Sequence, residues 1–197
     1  VGVECIFHPE ASEMYPSGYC TYVNVENITS GLCGASRPGH FRGVATVVAK
    51  LFNIVEPDIA IFGEKDYQQL AVLRKMVEDL NMNVQILAHP TVRENDGLAM
   101  SSRNKYLTPE QRKNALVLFW TLKAARERVK QGERSAAVLK SEAATMIEQV
   151  PECTIDYVDI VDPVLLTPLE RIEDRAVMAL AVKVGTTRLI DNMTLEA

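Results

Sequence analysis

The chain has 197 residues, a formal net charge of -5, and 47% hydrophobic against 24% charged residues. That length allows one domain or two small ones with room for a core, and the composition is that of a globular protein. The acidic balance argues against general nucleic-acid binding, and no run approaches the ~20 apolar residues of a membrane-spanning helix.

The chain opens without an initiator Met or a signal-peptide pattern. Val3, Cys5 and Phe7 alternate with smaller or polar residues, which predicts a strand over Val1–Phe7 that begins inside a longer protein. His8–Gly18 reads as a loop bounded by prolines, Tyr19–Val25 as a strand rich in aromatic and β-branched residues, and Asn27–Gly34 as turn material. A helix follows, with Ser36 as its cap, Pro38 in its first turn, and Val44, Val47, Val48, Leu51 and Phe52 along one face. Pro57–Phe62 is an apolar strand, Asp66–Leu80 a helix and Asn83–Ala88 another strand. This β-α-β-α-β order with near-continuous apolar strands predicts a parallel sheet covered by helices, with both helix starts at its carboxyl edge.

The texture changes near Val92–Gly97, so the domains are read as 1–92, a partial Rossmann-like unit, and 93–197, a smaller α+β unit. In the second, Thr108-Pro109-Glu110-Gln111 is a strong helix start and that helix runs to about Lys130. A second helix spans Ser135–Gln149, and antiparallel strands are predicted at Thr154–Val161, Ala176–Val184 and Arg188–Asn192. Cys5, Cys20, Cys33 and Cys153 show no CxxC spacing, which reads as free thiols of a cytoplasmic protein. No Cys/His or paired-carboxylate spacing marks a built-in metal site.

Two polar clusters carry chemistry. Gly63-Glu64-Lys65-Asp66 sits where an apolar strand turns into a helix: glycine permits close approach of a ligand, the helix start offers N–H groups, and Lys65 adds a cation. Asp66 and Gln69 can equally form an ordinary capping box. Met100-Ser101-Ser102-Arg103 can wrap phosphate oxygens, or can be a polar interdomain loop. Arg37 and His40 lie at a third helix start, whereas His8 and His89, beside prolines, read as structural. Together Lys65, Arg103, Arg37, two serines and a helix N-terminus converge on one sheet edge, which points to a polyanion such as a nucleoside triphosphate.

Arg-Pro-Gly-His-Phe-Arg-Gly-Val at 37–44, Phe-Gly-Glu-Lys-Asp-Tyr-Gln-Gln at 62–69 and Asp-Gly-Leu-Ala-Met-Ser-Ser-Arg-Asn at 96–104 resemble the signatures of the pantoate–β-alanine ligases, in order and spacing. The resemblance implies an adenylate-forming ligase using ATP, with Mg²⁺ carried on it, pantoate and β-alanine, working as a homodimer with Tyr19–Val25 in the contact. It implies that Gly63, Glu64, Lys65, Asp66, Val92, Met100, Ser101, Ser102 and Arg103 bind ATP, with Val92 beside the adenine. Lys65, Arg103, Ser101 and Ser102 would act in catalysis, Gln69 would hold pantoate, and Arg37 and His40 would line the same cleft. The loop at 100–103 is similar to the KMSKS loop of class I aminoacyl-tRNA synthetases.

The family's Met-Gly-Ala-Leu-His-x-Gly-His segment has no counterpart here, so the chain is read as the C-terminal two-thirds of such an enzyme, inactive alone and prone to self-association. Two other readings stay open. One is a synthetase-like enzyme acting on another acid or on tRNA; the other is a nucleotide-binding or dimerisation module without catalysis.

Overall fold

The structure is a computed structural model that describes residues 2–197. Its elements are α1 (Ala11–Met14), α2 (Leu32–Ser36), α3 (His40–Val55), β1 (Ile59–Gly63), α4 (Tyr67–Asp79), β2 (Gln85–His89), α5 (Pro109–Asn114), α6 (Leu116–Lys130), α7 (Ala136–Glu148), β3 (Cys153–Val161), β4 (Arg175–Val184) and β5 (Thr187–Glu196). β1 and β2 pair in parallel, Ile59 against Gln85 through Gly63 against His89, and β3-β4-β5 form an antiparallel sheet. The expected α/β class therefore holds: an incomplete parallel sheet with helices, followed by a small antiparallel unit.

Two predicted strands do not form. Val1 lies outside the described residues, and Val3 to Phe7 pair with no strand among those described, leaving Ile6 78% exposed. Tyr19–Val25 is likewise extended but unpaired. Apolar alternation proposes a strand, but only a neighbour offering backbone donors and acceptors makes one. The Tyr19–Val25 segment is instead held onto α3: the Val23 amide donates to Thr46 Oγ1 at 3.0 Å, and the Arg42 guanidinium sits 4.0 Å from the Tyr22 ring centroid. The parallel strands are also less buried than their apolar run suggests. Ala60, Phe62 and Ile86 pack on α3 and α4, while Ile59, Ile61 and Leu87 face outward.

The helix starts are instructive. Ser36 does not cap α3 but ends α2, and its hydroxyl donates to Asp156 Oδ2 at 3.1 Å. The chain resets at Gly39, whose φ of 78° no branched side chain tolerates cheaply, and α3 begins at His40. Asp66 precedes α4 yet makes no side-chain cap bond, because Glu64–Asp66 form a 3₁₀ turn instead. The capping-box alternative for Asp66 and Gln69 is thus not what is built. Thr108 does form its capping box, with Gln111, and Ser135 caps α7.

Three cores result. α6 and α7 cover one face of the antiparallel sheet through Leu118, Leu122, Leu139 and Ile147 against Ile160, Met178, Leu180 and Val182. On the opposite face, Val161, Val177 and Ala179 meet Leu32, Cys33, Phe41 and Val72. β4, buried on both faces, is the layer between the two halves of the chain. The 94–97 turn joins them. Gly97 holds φ at 102° with the Phe119 ring where a Cβ would go. Gly97→Ala is expected to cost about 1–3 kcal/mol from this conformation alone, read as a lower urea midpoint.

Candidate active-site cleft

The carboxyl end of β1 runs directly into the 3₁₀ turn Glu64–Asp66, which puts Lys65 at the sheet edge beside the start of α4. The turn is fixed from the far end of the sequence: Asn192 Nδ2 on β5 donates to the carbonyls of Glu64 and Lys65, at 2.9 Å each. The second cluster is a 3₁₀ turn over Ser102–Tyr106, capped by Ser101, whose Oγ accepts from the Arg103 amide at 3.2 Å. Arg103 Nη1 then donates to the Arg188 carbonyl at 3.0 Å, at the beginning of β5. One strand therefore positions both clusters.

Between them lies a cavity of about 240 Å³. Of the residues singled out in the sequence, Arg37, His40, Lys65, Asp66, Gln69, Ser101 and Arg103 line it. Gly63, Glu64, Val92, Met100 and Ser102 do not. Gly63 is the end of β1, Glu64 turns its carbonyl to Asn192, and Val92 and Met100 are 52% and 55% exposed beside it. Cys33, Tyr157, Arg188, Asp191 and Asn192 line it too and were not anticipated; Gln68, also in the wall, is buried and donates to the carbonyls of Ile28 and Gly31 at 2.9 Å.

The cleft is cationic although the chain is acidic. Lys65, Arg37, Arg103 and Arg188 face Asp66 and Asp191, and Asp191 is already taken by Arg93 at 2.6 Å. Among the described residues Lys65, Arg37 and Arg103 make no ion pair. His40 is pushed below its ordinary pKa by burial and by the positive charge of Arg37, with Arg103 and Arg188 adding to it. Arg37 Nη1 lies 3.0 Å from His40 Nε2, and a guanidinium can only donate, so Nε2 accepts and the neutral ring carries its proton on Nδ1. Burial and the neighbouring Cys33 raise the Tyr157 pKa, so its hydroxyl stays protonated. No group of three or more His, Cys, Asp or Glu that could hold a metal ion occurs among the described residues.

A β-α-β junction facing a serine–arginine turn across a cationic cleft is the arrangement of α/β proteins that bind ligands at their strand ends. Comparison makes this specific, because the Pantoate-beta-alanine ligase family model matches residues 1–194, and the chain belongs to that family. It is 60% identical over 195 residues to the pantothenate synthetase of Moorella thermoacetica, covering 99% of this chain and 69% of that protein. With the pantothenate synthetase of Geobacter sulfurreducens the identity is 57% over 194 residues, covering 98% and 69%. The crystal structure of the Thermus thermophilus pantothenate synthetase superposes with a TM-score of 0.93 at 50% identity, over 98% of this chain and 70% of that one. The Francisella tularensis pantoate-beta-alanine ligase, solved with beta-gamma ATP and beta-alanine, matches with a TM-score of 0.70 at 31% identity, over 92% and 61%.

Proposed function

We propose that the cleft serves an ATP-dependent ligation of pantoate to β-alanine by way of a pantoyl adenylate. A pantoate carboxylate oxygen bonds to the α-phosphorus of ATP and the bond to pyrophosphate breaks. The β-alanine amine then bonds to the acyl carbon, AMP leaves, and the amine proton passes to solvent. The observation that carries this reading is the gathering of Lys65, Arg103, Ser101 and Gln69 around one cavity in which, among the described residues, the lysine and the arginine form no ion pair. Such a reaction asks for charge stabilisation and positioning rather than a nucleophilic side chain.

In this reading Lys65 and Arg103 neutralise phosphate oxygens, Ser101 and Ser102 donate to them, and Asp66 accepts from the ribose hydroxyls. Gln69 orients pantoate through its amide, Val92 and Met100 flank the adenine, and Gly63 and Glu64 shape the turn. Arg37 and His40 complete the wall. Mg²⁺ fits here only as a passenger: beside Lys65 the chain offers Asp66 and no cage, so the ion comes with the triphosphate and offsets its charge. The division at 92/93 makes residues 93–197 the part that brings Ser101–Arg103 over the cleft. Pairing of two chains through the Tyr19–Val25 segment belongs to the same proposal.

The test is pantoate-dependent exchange of labelled pyrophosphate into ATP, on a polypeptide in which a Met-Gly-Ala-Leu-His-x-Gly-His segment precedes residues 1–197. Exchange that needs pantoate is expected. Exchange driven equally by unrelated carboxylic acids, or formation of ADP, overturns the proposal. For the 197 residues by themselves the expectation is ATP binding with negligible pantothenate formation.

A further inference from the structure

Arg37, Arg103 and Arg188 border a second space besides the cavity. It is a shallow outer pocket of about 500 Å³, completed by Tyr106, Thr186 and Thr187. Thr186 belongs to the two-residue connection between β4 and β5, where Gly185 holds φ at 58°, and Thr187 opens β5. The rim is therefore part of a paired hairpin rather than a free loop.

Each guanidinium is held by its own contact. Arg37 leans on His40 Nε2 at 3.0 Å, Arg103 on the Arg188 carbonyl at 3.0 Å, and Arg188 on Asp156 Oδ2 at 2.9 and 2.7 Å. A guanidinium has five N–H donors, so Arg37 and Arg103 keep most of theirs unused, whereas Arg188, which also reaches Cys33 Sγ at 3.7 Å, has fewer to offer. In charge, three arginines face one carboxylate, a surplus of two on a chain of net charge -5. Like charges gathered this closely are unfavourable without an anion between them. The pKa of His40 is lowered first by its burial, and the charges of Arg37, Arg103 and Arg188 add to that in the same direction.

We propose that this outer pocket is a second anion subsite, beside the catalytic cavity and sharing its three arginines, that receives a polyphosphate-class oxyanion, namely the pyrophosphate leaving the reaction. A single carboxylate would neutralise only one of the two surplus charges. Pyrophosphate carries more and presents oxygens on two phosphorus centres to three guanidiniums and the hydroxyl-bearing Tyr106, Thr186 and Thr187. Because the three arginines border both spaces, the anion can pass outward by exchanging partners rather than by losing them all at once. The identity of the anion rests on the ligation proposed above; the subsite itself does not.

The test is calorimetric titration of the 197-residue chain with sodium pyrophosphate alone, in parallel with ATP and with orthophosphate. Lys65→Ala is expected to lose ATP affinity while retaining pyrophosphate binding. Thr186→Glu and Arg37→Gln are expected to weaken pyrophosphate binding by about tenfold or more. Arg37 is exposed and its side chain hydrogen-bonds His40, on α3 rather than on the hairpin, so its variant remains informative if Thr186→Glu disturbs the hairpin. The subsite is overturned if Lys65→Ala abolishes pyrophosphate binding, or if both outer variants bind it as the unaltered chain does. Orthophosphate binding as tightly as pyrophosphate overturns the assignment to the leaving group. Loss of the ligation reading would appear separately, as pyrophosphate exchange into ATP that does not depend on pantoate.

Discussion

Asp191→Ala is expected to lower the unfolding free energy by about 3–5 kcal/mol, the range for removing one partner of a buried ion pair. Asp191 has only 2% of its side chain exposed and Arg93 only 20%, and they meet bidentately at 2.6 and 2.9 Å. The same carboxylate accepts from the Asn192 amide at 2.8 Å, while Arg93 Nη1 also reaches the Gly97 carbonyl at 3.0 Å and its guanidinium lies 5.0 Å from the Phe119 ring. Without Asp191 the arginine keeps its charge in a site that gives it little water. The partial exposure of Arg93 puts the expected loss nearer the lower end. Urea unfolding measures it, and Asp191→Ala with Arg93→Met should recover a large part, since the stranded charge is then gone. A single-variant loss below about 1 kcal/mol would mean the pair is replaceable by water.

The damage should not stop at stability. Asn192, next in β5, holds the Glu64 and Lys65 carbonyls, so any slip of this strand moves the turn that carries Lys65. This is also where sequence reasoning reached its limit. Lys65, Arg103, Arg37 and His40 were legible because strand–turn–helix order is local, and a cation at such a junction has few other uses. Asp191, Asn192 and Arg188 arrive from more than a hundred residues away, through the pairing of β4 with β5, and no local spacing announces that. One signal was present: aspartate and asparagine are depleted in strands, yet stand side by side in this one, directly after Leu189 and Ile190.

The strands expected at 1–7 and 19–25 show the converse. The alternation of the first and the aromatic, β-branched composition of the second are real, but pairing is a property of two segments, and a one-segment pattern cannot supply the second. The sequence reading places the start of α3 at a Ser36 cap, whereas the structure places it at Gly39. The glycine prevailed because it can adopt the positive φ that redirects the chain, leaving Ser36 to bond Asp156 on β3.

Lys65→Ala should leave the fold intact and slow adenylate formation by about 10²–10³-fold, the usual loss for one preorganised charge-stabilising donor. The side chain is half-buried and, among the described residues, makes no ion pair or hydrogen bond, so its removal strands no carboxylate. Its backbone carbonyl, which Asn192 holds, is untouched by the substitution. Thermal midpoints within the ordinary surface range are therefore expected. The kinetic signature discriminates between roles. A lysine that acts on charge developing in transfer lowers the pantoate-dependent exchange rate at saturating ATP, whereas one that only binds ATP raises the ATP KM and spares the rate. Lys65→Arg keeps the charge but replaces a compact ammonium with a planar fork, and should recover ATP binding more than rate. Gln69→Ala should do the opposite of Lys65→Ala, raising the pantoate requirement while leaving ATP binding nearly unchanged, because its amide sits in the same cavity without charge to lend. Exchange at the unaltered rate in Lys65→Ala would move the phosphate-stabilising role to the arginines across the cleft.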